Sequence, residues 1–144
     1  MIRYLLDVNV LIALVDPAHV QHEAAHAWFA ATGRSAWASC PITEAGLIRV
    51  LGHPRYPNSP GPPAAVMPLL VDLRRQSGHA FWPDDISLTD TSLFDAAALL
   101  TASQVTDSYL LGLAVRHGGR LATFDRRITP TAVLGGADAL TTLD

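Results

Sequence analysis

Thr106-Asp107-Ser108-Tyr109-Leu110-Leu111, followed past Gly118-Gly119 by Arg120-Leu121-Ala122-Thr123-Phe124-Asp125, is the stretch that decides the fold. Thr106 is a plausible N-cap, which puts Asp107 in the first turn of a helix running to His117. The glycine pair stops that helix, and Arg120 to Phe124 is a short apolar run of the kind found in a strand buried on both faces. A second acid, Asp125, stands where the strand ends. A helix feeding a buried strand is the unit of a parallel α/β sheet.

The same grammar recurs outward from this stretch. Ile2 to Leu6 reads as a strand ending in Asp7, and Val8 to Val15 as the helix after it. Val20 to Ala31 has Val20, Ala24, Ala27, Trp28 and Ala31 at helical spacing, with His19, His22 and His26 on the opposite, solvent-facing side. Ser35 to Ser39 is the next strand, and Pro41 opens a helix over Ile42 to Leu51 that is apolar nearly all round. Pro54 to Pro63, with five prolines, is a loop. Ala64 to Gln76 is a helix, His79 to Trp82 a strand, Asp84 to Thr91 a polar connection and Leu93 to Leu100 a helix, with a weak last strand at Ala139 to Leu143. The expectation is an α/β fold with a mainly parallel sheet, one domain over residues 1–144.

Composition narrows the chemistry. The chain is 49% hydrophobic and 16% charged, which suits a packed core rather than a disordered segment. Its formal net charge is −3, so bulk attraction for a polyanion is absent and any nucleic acid must be held by a local basic patch or by metal. A single cysteine, Cys40, rules out an intrachain disulfide and reads as core filler. No apolar run approaches the ~18–20 residues of a membrane span, and Asp7 breaks the first apolar run at once. The expectation is a cytoplasmic protein without membrane contact.

Four carboxylates stand out: Asp7 and Asp125 at strand ends, Asp107 and Glu44 in first helical turns. In a parallel sheet these positions share the edge where ligands bind. Each alone has an ordinary explanation, because acids favour helix N-termini and strand-end turns. Glu44, however, sits in an otherwise apolar helix and is one of only two glutamates in the chain. A buried carboxylate needs a cation, and Arg49, the nearest in sequence, points elsewhere on the helix. An all-oxygen cluster suits a hard ion, Mg2+ or Mn2+.

Leu5-Leu6-Asp7-Val8-Asn9, Thr43-Glu44-Ala45, Val105-Thr106-Asp107-Ser108-Tyr109 and Leu121-Ala122-Thr123-Phe124-Asp125-Arg126-Arg127 resemble, in this order, the motifs of PIN-domain ribonucleases, and most of all the mycobacterial-type VapC toxins of VapBC toxin–antitoxin pairs. The resemblance implies a three-layer α/β/α domain and a metal-dependent endoribonuclease with one or two Mg2+ or Mn2+ ions per site. It implies Asp7, Glu44, Asp107 and Asp125 as catalytic, metal-binding acids, with Asn9 and Thr106 in support. It also implies an RNA substrate, a VapB-type antitoxin and a homodimer. Arg126 and Arg127 are the candidate phosphate-gripping residues.

Other patterns compete. His22-Glu23-Ala24-Ala25-His26 matches the HExxH zinc motif, but no third ligand follows and both histidines are expected to face solvent. A dehalogenase-like phosphatase would need a second Asp two residues after Asp7, where this chain has Asn9. A non-catalytic PIN-like module binding RNA or protein is the remaining alternative, and metal dependence of activity separates it from an enzyme.

Overall fold

The computed structural model describes residues 1–144. In chain order its elements are β1 (Tyr4–Leu6), α1 (Val8–Val15), α2 (His22–Ala31), β2 (Trp37–Ser39), α3 (Pro41–Leu51), α4 (Pro63–Arg74), β3 (His79–Phe81), α5 (Gln104–Arg116), β4 (Arg120–Thr123), α6 (Gly136–Ala139) and β5 (Leu140–Thr142). The five strands form one sheet in the order β3-β2-β1-β4-β5, and every pairing is parallel.

The strands are short and apolar because both faces are covered. On β1, Leu6 enters a core with Val10, Leu11, Phe29, Trp37, Leu47 and Leu70 from the α1–α4 side. Leu5, the next residue back, enters a second core with Leu110, Leu113, Ala114 and Leu121 on the α5 side. Period-two alternation thus divides one strand between two layers. The strand order reverses beside β1: the chain moves through β2 to β3 on one side, then crosses to β4 and β5 on the other. The gap between the carboxyl ends of β1 and β4 is therefore a topological switch point, where open parallel sheets bind ligands. No helix is long and apolar enough to cross a membrane.

Several expectations need correction. The segment Leu93 to Leu100 is not a helix; only Ala96–Ala98 makes a 3-10 turn. Tertiary hydrogen bonds take its backbone: Leu134 N–H donates to Leu93 O at 2.8 Å, and Asp95 N–H donates to Ala132 O at 2.9 Å. α5 begins at Gln104, not Asp107, because Gln104 Oε1 accepts from the amides of Leu100 and Thr101 and closes the turn before the helix. Thr106 is accordingly inside the helix, not its N-cap, though Asp107 still falls in the first turn. α3 buries one stripe, Thr43, Gly46, Leu47 and Leu51, rather than its whole circumference. Gly118, at φ +68°, ends α5 in the left-handed conformation that glycine adopts without strain.

α2 differs most from its pattern. It starts at His22; Val20 is exposed, and Ala25 and Phe29 are the buried residues. His26 is exposed, as expected, whereas His22 is half-buried, and neither ring is without a partner. Their rings, 4.3 Å apart, meet the last turn of α1, where His22 Nδ1 and His26 Nε2 bond the carbonyls of Ala13 and Leu14 at 2.7 and 2.8 Å. A helix's last carbonyls lack intrahelical partners, and here the two imidazoles satisfy them. This role accounts for the HExxH spacing.

Candidate active site

Asp7 is the N-cap of α1: its Oδ1 accepts the Val8 N–H at 2.8 Å. Its Oδ2 accepts the Thr123 hydroxyl at 2.9 Å. Thr123 Oγ1 in turn accepts from Asn9 Nδ2 and from the Asp125 N–H, both at 3.0 Å. Asn9 Oδ1 closes the arrangement by accepting the Phe124 N–H at 3.0 Å. A fully buried threonine at the end of β4 therefore fixes Asp7, Asn9 and the backbone of Asp125 at once, across the switch point. Its one donor and two acceptor positions are all used. Asn9 is thus bonded to the Thr123 hydroxyl and to the Phe124 amide, beside Asp7. Thr106 lies exposed on α5, and the hydroxyl that supports the acids is Thr123. In sequence Thr123 is one more β-branched residue in a strand, with no local signal that sets it apart.

Burial chiefly pushes the Asp7 carboxyl above its ordinary value, the bonds from Thr123 and Val8 oppose this, and the charge of Asp125 adds to the rise. Asp107 is raised to about 6, first by burial and then by the charges of Asp7 and Asp125, with Arg127 opposing. Asp125 is lowered by the backbone N–H and then the side chain of Arg127, whose Nε lies 3.1 Å from Oδ1. Three acids from β1, α5 and the end of β4 thus share one field. Between Asp107, Asp125 and Arg127 lies a cavity of about 200 Å³, walled by Ser103, Gln104, Ile128 and Thr129. A more open depression of about 460 Å³ lies on the other side of Asp125, along Asn9, Gln21, Arg126 and Arg127.

The Glu44 carboxylate accepts from Ser39 Oγ at 2.5 Å and pairs with Arg74 at 3.3 Å. Arg74, the last residue of α4, supplies the cation that the sequence left unassigned. It was missed because it lies thirty positions away on another helix. Ser39 Oγ also meets His79 Nε2 at 2.8 Å, and burial, then Arg74 and Arg3, lowers the imidazole to about 4. Of the two candidate phosphate-gripping residues, Arg127 is paired with Asp125 and Arg126 with Asp144 at 2.9 Å; both remain mostly exposed. Cys40 is wholly buried, as core filler should be.

The donor set is all oxygen. No three acidic, histidine or cysteine side chains stand at ligand spacing around one point. That does not disqualify Mg2+, which keeps several waters and takes one or two protein carboxylates, completing its shell with substrate phosphate oxygens. Two carboxylates, Asp7 and Asp107, raised by burial and further by the charge of Asp125, make a field that such a cation relieves.

Residues 4–134 match the PIN domain family model. The chain is 48% identical over 133 residues to Ribonuclease VapC44 of Mycobacterium tuberculosis, covering 92% of this chain and 93% of that protein. It is 43% identical over 136 residues to Ribonuclease VapC39 of the same organism, covering 94% and 98% respectively. In three dimensions it is similar to a chain in the crystal structure of VapBC2 from Rickettsia felis bound to a promoter DNA fragment. There the TM-score is 0.53 at 14% identity, with 99% of each chain covered, a likeness of fold alone.

Proposed function

The chain belongs to the PIN-domain family and stands among its VapC ribonucleases, and from that premise we propose that it is the toxin of a VapB–VapC pair, an endoribonuclease that hydrolyses RNA with Mg2+ or Mn2+. The observation that carries the chemical part is the gathering of Asp7, Asp107 and Asp125 at the switch point, with Asp107 pushed up to about 6 by burial and then by the charges of the other two. A polyanion does not approach three carboxylates on a chain of net charge −3 without a cation between them.

Asp7 and Asp107 would hold the ion, with Glu44 as a further ligand. Bound there, Mg2+ or Mn2+ acidifies a water molecule and offsets charge on the phosphoryl oxygens. Asp7 is pre-set for this by Thr123 and the Val8 amide, so little freedom is lost on binding. Asp125, which lines the same cavity as Asp107, would accept a hydrogen bond from the incoming water and align it with phosphorus. Arg126 and Arg127 are exposed enough to leave their carboxylate partners for phosphate oxygens, Arg127 from directly beside Asp125. A VapB-type antitoxin would silence the site, and the active form would be a homodimer acting in the cytoplasm.

The test is cleavage of total cellular RNA by the purified protein with Mg2+ or Mn2+, with EDTA, and with Asp107→Asn. Discrete fragments that require metal and vanish in the variant are the expected result. Cleavage that survives both EDTA and the substitution would overturn the mechanism, and metal-independent RNA binding without cleavage would favour a binding module.

A further inference from the structure

Glu44 is held in two unlike ways. On one side, its Oε2 takes the proton of the Ser39 hydroxyl at 2.5 Å. That hydroxyl has only one proton, so the 2.8 Å contact between Ser39 Oγ and His79 Nε2 is a donation from the imidazole N–H. The His79 ring lies against buried Trp37, with centroids 4.5 Å apart. The direction His79 to Ser39 to Glu44 is thus anchored in the core and leaves Oε1 untouched.

On the other side is Arg74. Its Nη1 lies 3.3 Å from both carboxylate oxygens, and its side chain is 41% exposed against 14% for Glu44. Close charge-assisted bonds run about 2.7–2.9 Å, so this contact is loose. The guanidinium also rests over the half-exposed Phe81 ring, 5.1 Å from its centroid, a contact that does not need Glu44. Arginine offers no acceptor and carries the same sign as a metal ion, so it cannot share Glu44 with one.

We infer that Arg74 is a resident counter-ion of Glu44, which a divalent cation displaces before Glu44 joins the other acids, so that Arg74 sets how much metal the site requires. This rests on the metal site proposed above. Ser39 and His79 keep the carboxylate placed while the cation is exchanged. The cation offsets the charge of Glu44 when metal is scarce and competes for it when metal is present. An exposed pair of this kind is worth about 0.4–1 kcal/mol, within the usual span for such pairs, so removing it should tighten metal binding by about two- to fivefold.

The experiment is calorimetric titration of the full chain with Mn2+ alone, comparing the parent with Arg74→Gln, Arg74→Lys, Arg75→Gln and Asp107→Asn. Arg74→Gln is expected to bind about two- to fivefold more tightly. Arg74→Lys should match the parent. Arg75→Gln removes the same charge one residue on, from a pair with Asp72, and should also match the parent. The gain should shrink as NaCl is raised, because the pair is exposed to screening. Equal or weaker binding by Arg74→Gln, or an equal gain in Arg75→Gln, overturns the inference. Loss of Mn2+ binding in Asp107→Asn without a gain in Arg74→Gln sinks the inference alone; full Mn2+ affinity in Asp107→Asn sinks the metal site with it.

Discussion

Removing the charge at Asp107 should make the metal-free protein more stable at neutral and alkaline pH while destroying its activity. Asp107 titrates at about 6 in the folded chain against an ordinary 3.8. The folded state therefore holds the proton more tightly than the unfolded state. The resulting stability is fully present below about 3.8 and is lost as pH rises through about 6. A fully shielded group would lose about 3 kcal/mol by pH 8. Asp107 is only half-buried, and solvent screening reduces this to about 1–1.5 kcal/mol. Asp107→Asn escapes that loss, so its melting temperature in EDTA at pH 8 should exceed the parent's by about 3–5 °C for a chain of this size. The gap should close by pH 4. Saturating Mg2+ should reverse the order, because binding stabilises only the chain that holds the ion. Scanning calorimetry at pH 4 and pH 8, with and without Mg2+, reads all of this. A variant no more stable than the parent at pH 8 in EDTA, or a gap indifferent to pH, would refute the account of a carboxylate raised by burial and by the like charges beside it.

Thr123→Val keeps the shape of the side chain but strips Asp7, Asn9 and the Asp125 amide of one bond each; urea unfolding should show a loss of about 1–3 kcal/mol, and a loss under about 0.5 would deny Thr123 its central place. Tyr56→Phe removes the 2.5 Å bond to Asp16 that ties the proline-rich loop to the far end of α1, and should cost about 1–2 kcal/mol at pH 7 with RNA cleavage unchanged. Burial alone would raise Asp16, but bonds from Tyr56, Ala18 and Asn58 with the charge of His19 pull it below 3.8, so this stability is present above 3.8 and lost as pH falls below it. A Tyr56→Phe gap that persists undiminished at pH 2 would contradict the assignment. Gly112→Ala should gain up to about 1 kcal/mol in helix propensity but drive a Cβ into the Phe94 ring in the core. Overpacking at about 1–3 kcal/mol wins, so chemical denaturation should show net destabilisation; a more stable variant would show that Phe94 yields freely.

Much of this molecule was legible in the chain alone. Apolar runs of three to five residues ending in Asp7 and Asp125, each coupled to a helix, specified a parallel sheet, because only strands covered on both faces tolerate that composition. Pro41 marked the start of α3 and Gly118 the end of α5, since both act through local backbone geometry. The acids Asp7, Asp107 and Asp125 were visible for the same reason: strand ends and first helical turns are local positions. What the sequence could not supply were partners distant along the chain. Thr123 reaches Asp7 across 116 positions, and Arg74 reaches Glu44 across 30. His22 and His26 showed only a helical i, i+4 spacing in sequence, and their partners, the end carbonyls of α1, lie nine and twelve positions away. Leu93 to Leu100 had helical composition but gave its backbone bonds to residues 132–134. Local propensity amounts to tenths of a kcal/mol per residue, whereas a buried polar group left without its partner costs about 1–3 kcal/mol. Wherever the two disagreed, the long-range partner decided the structure.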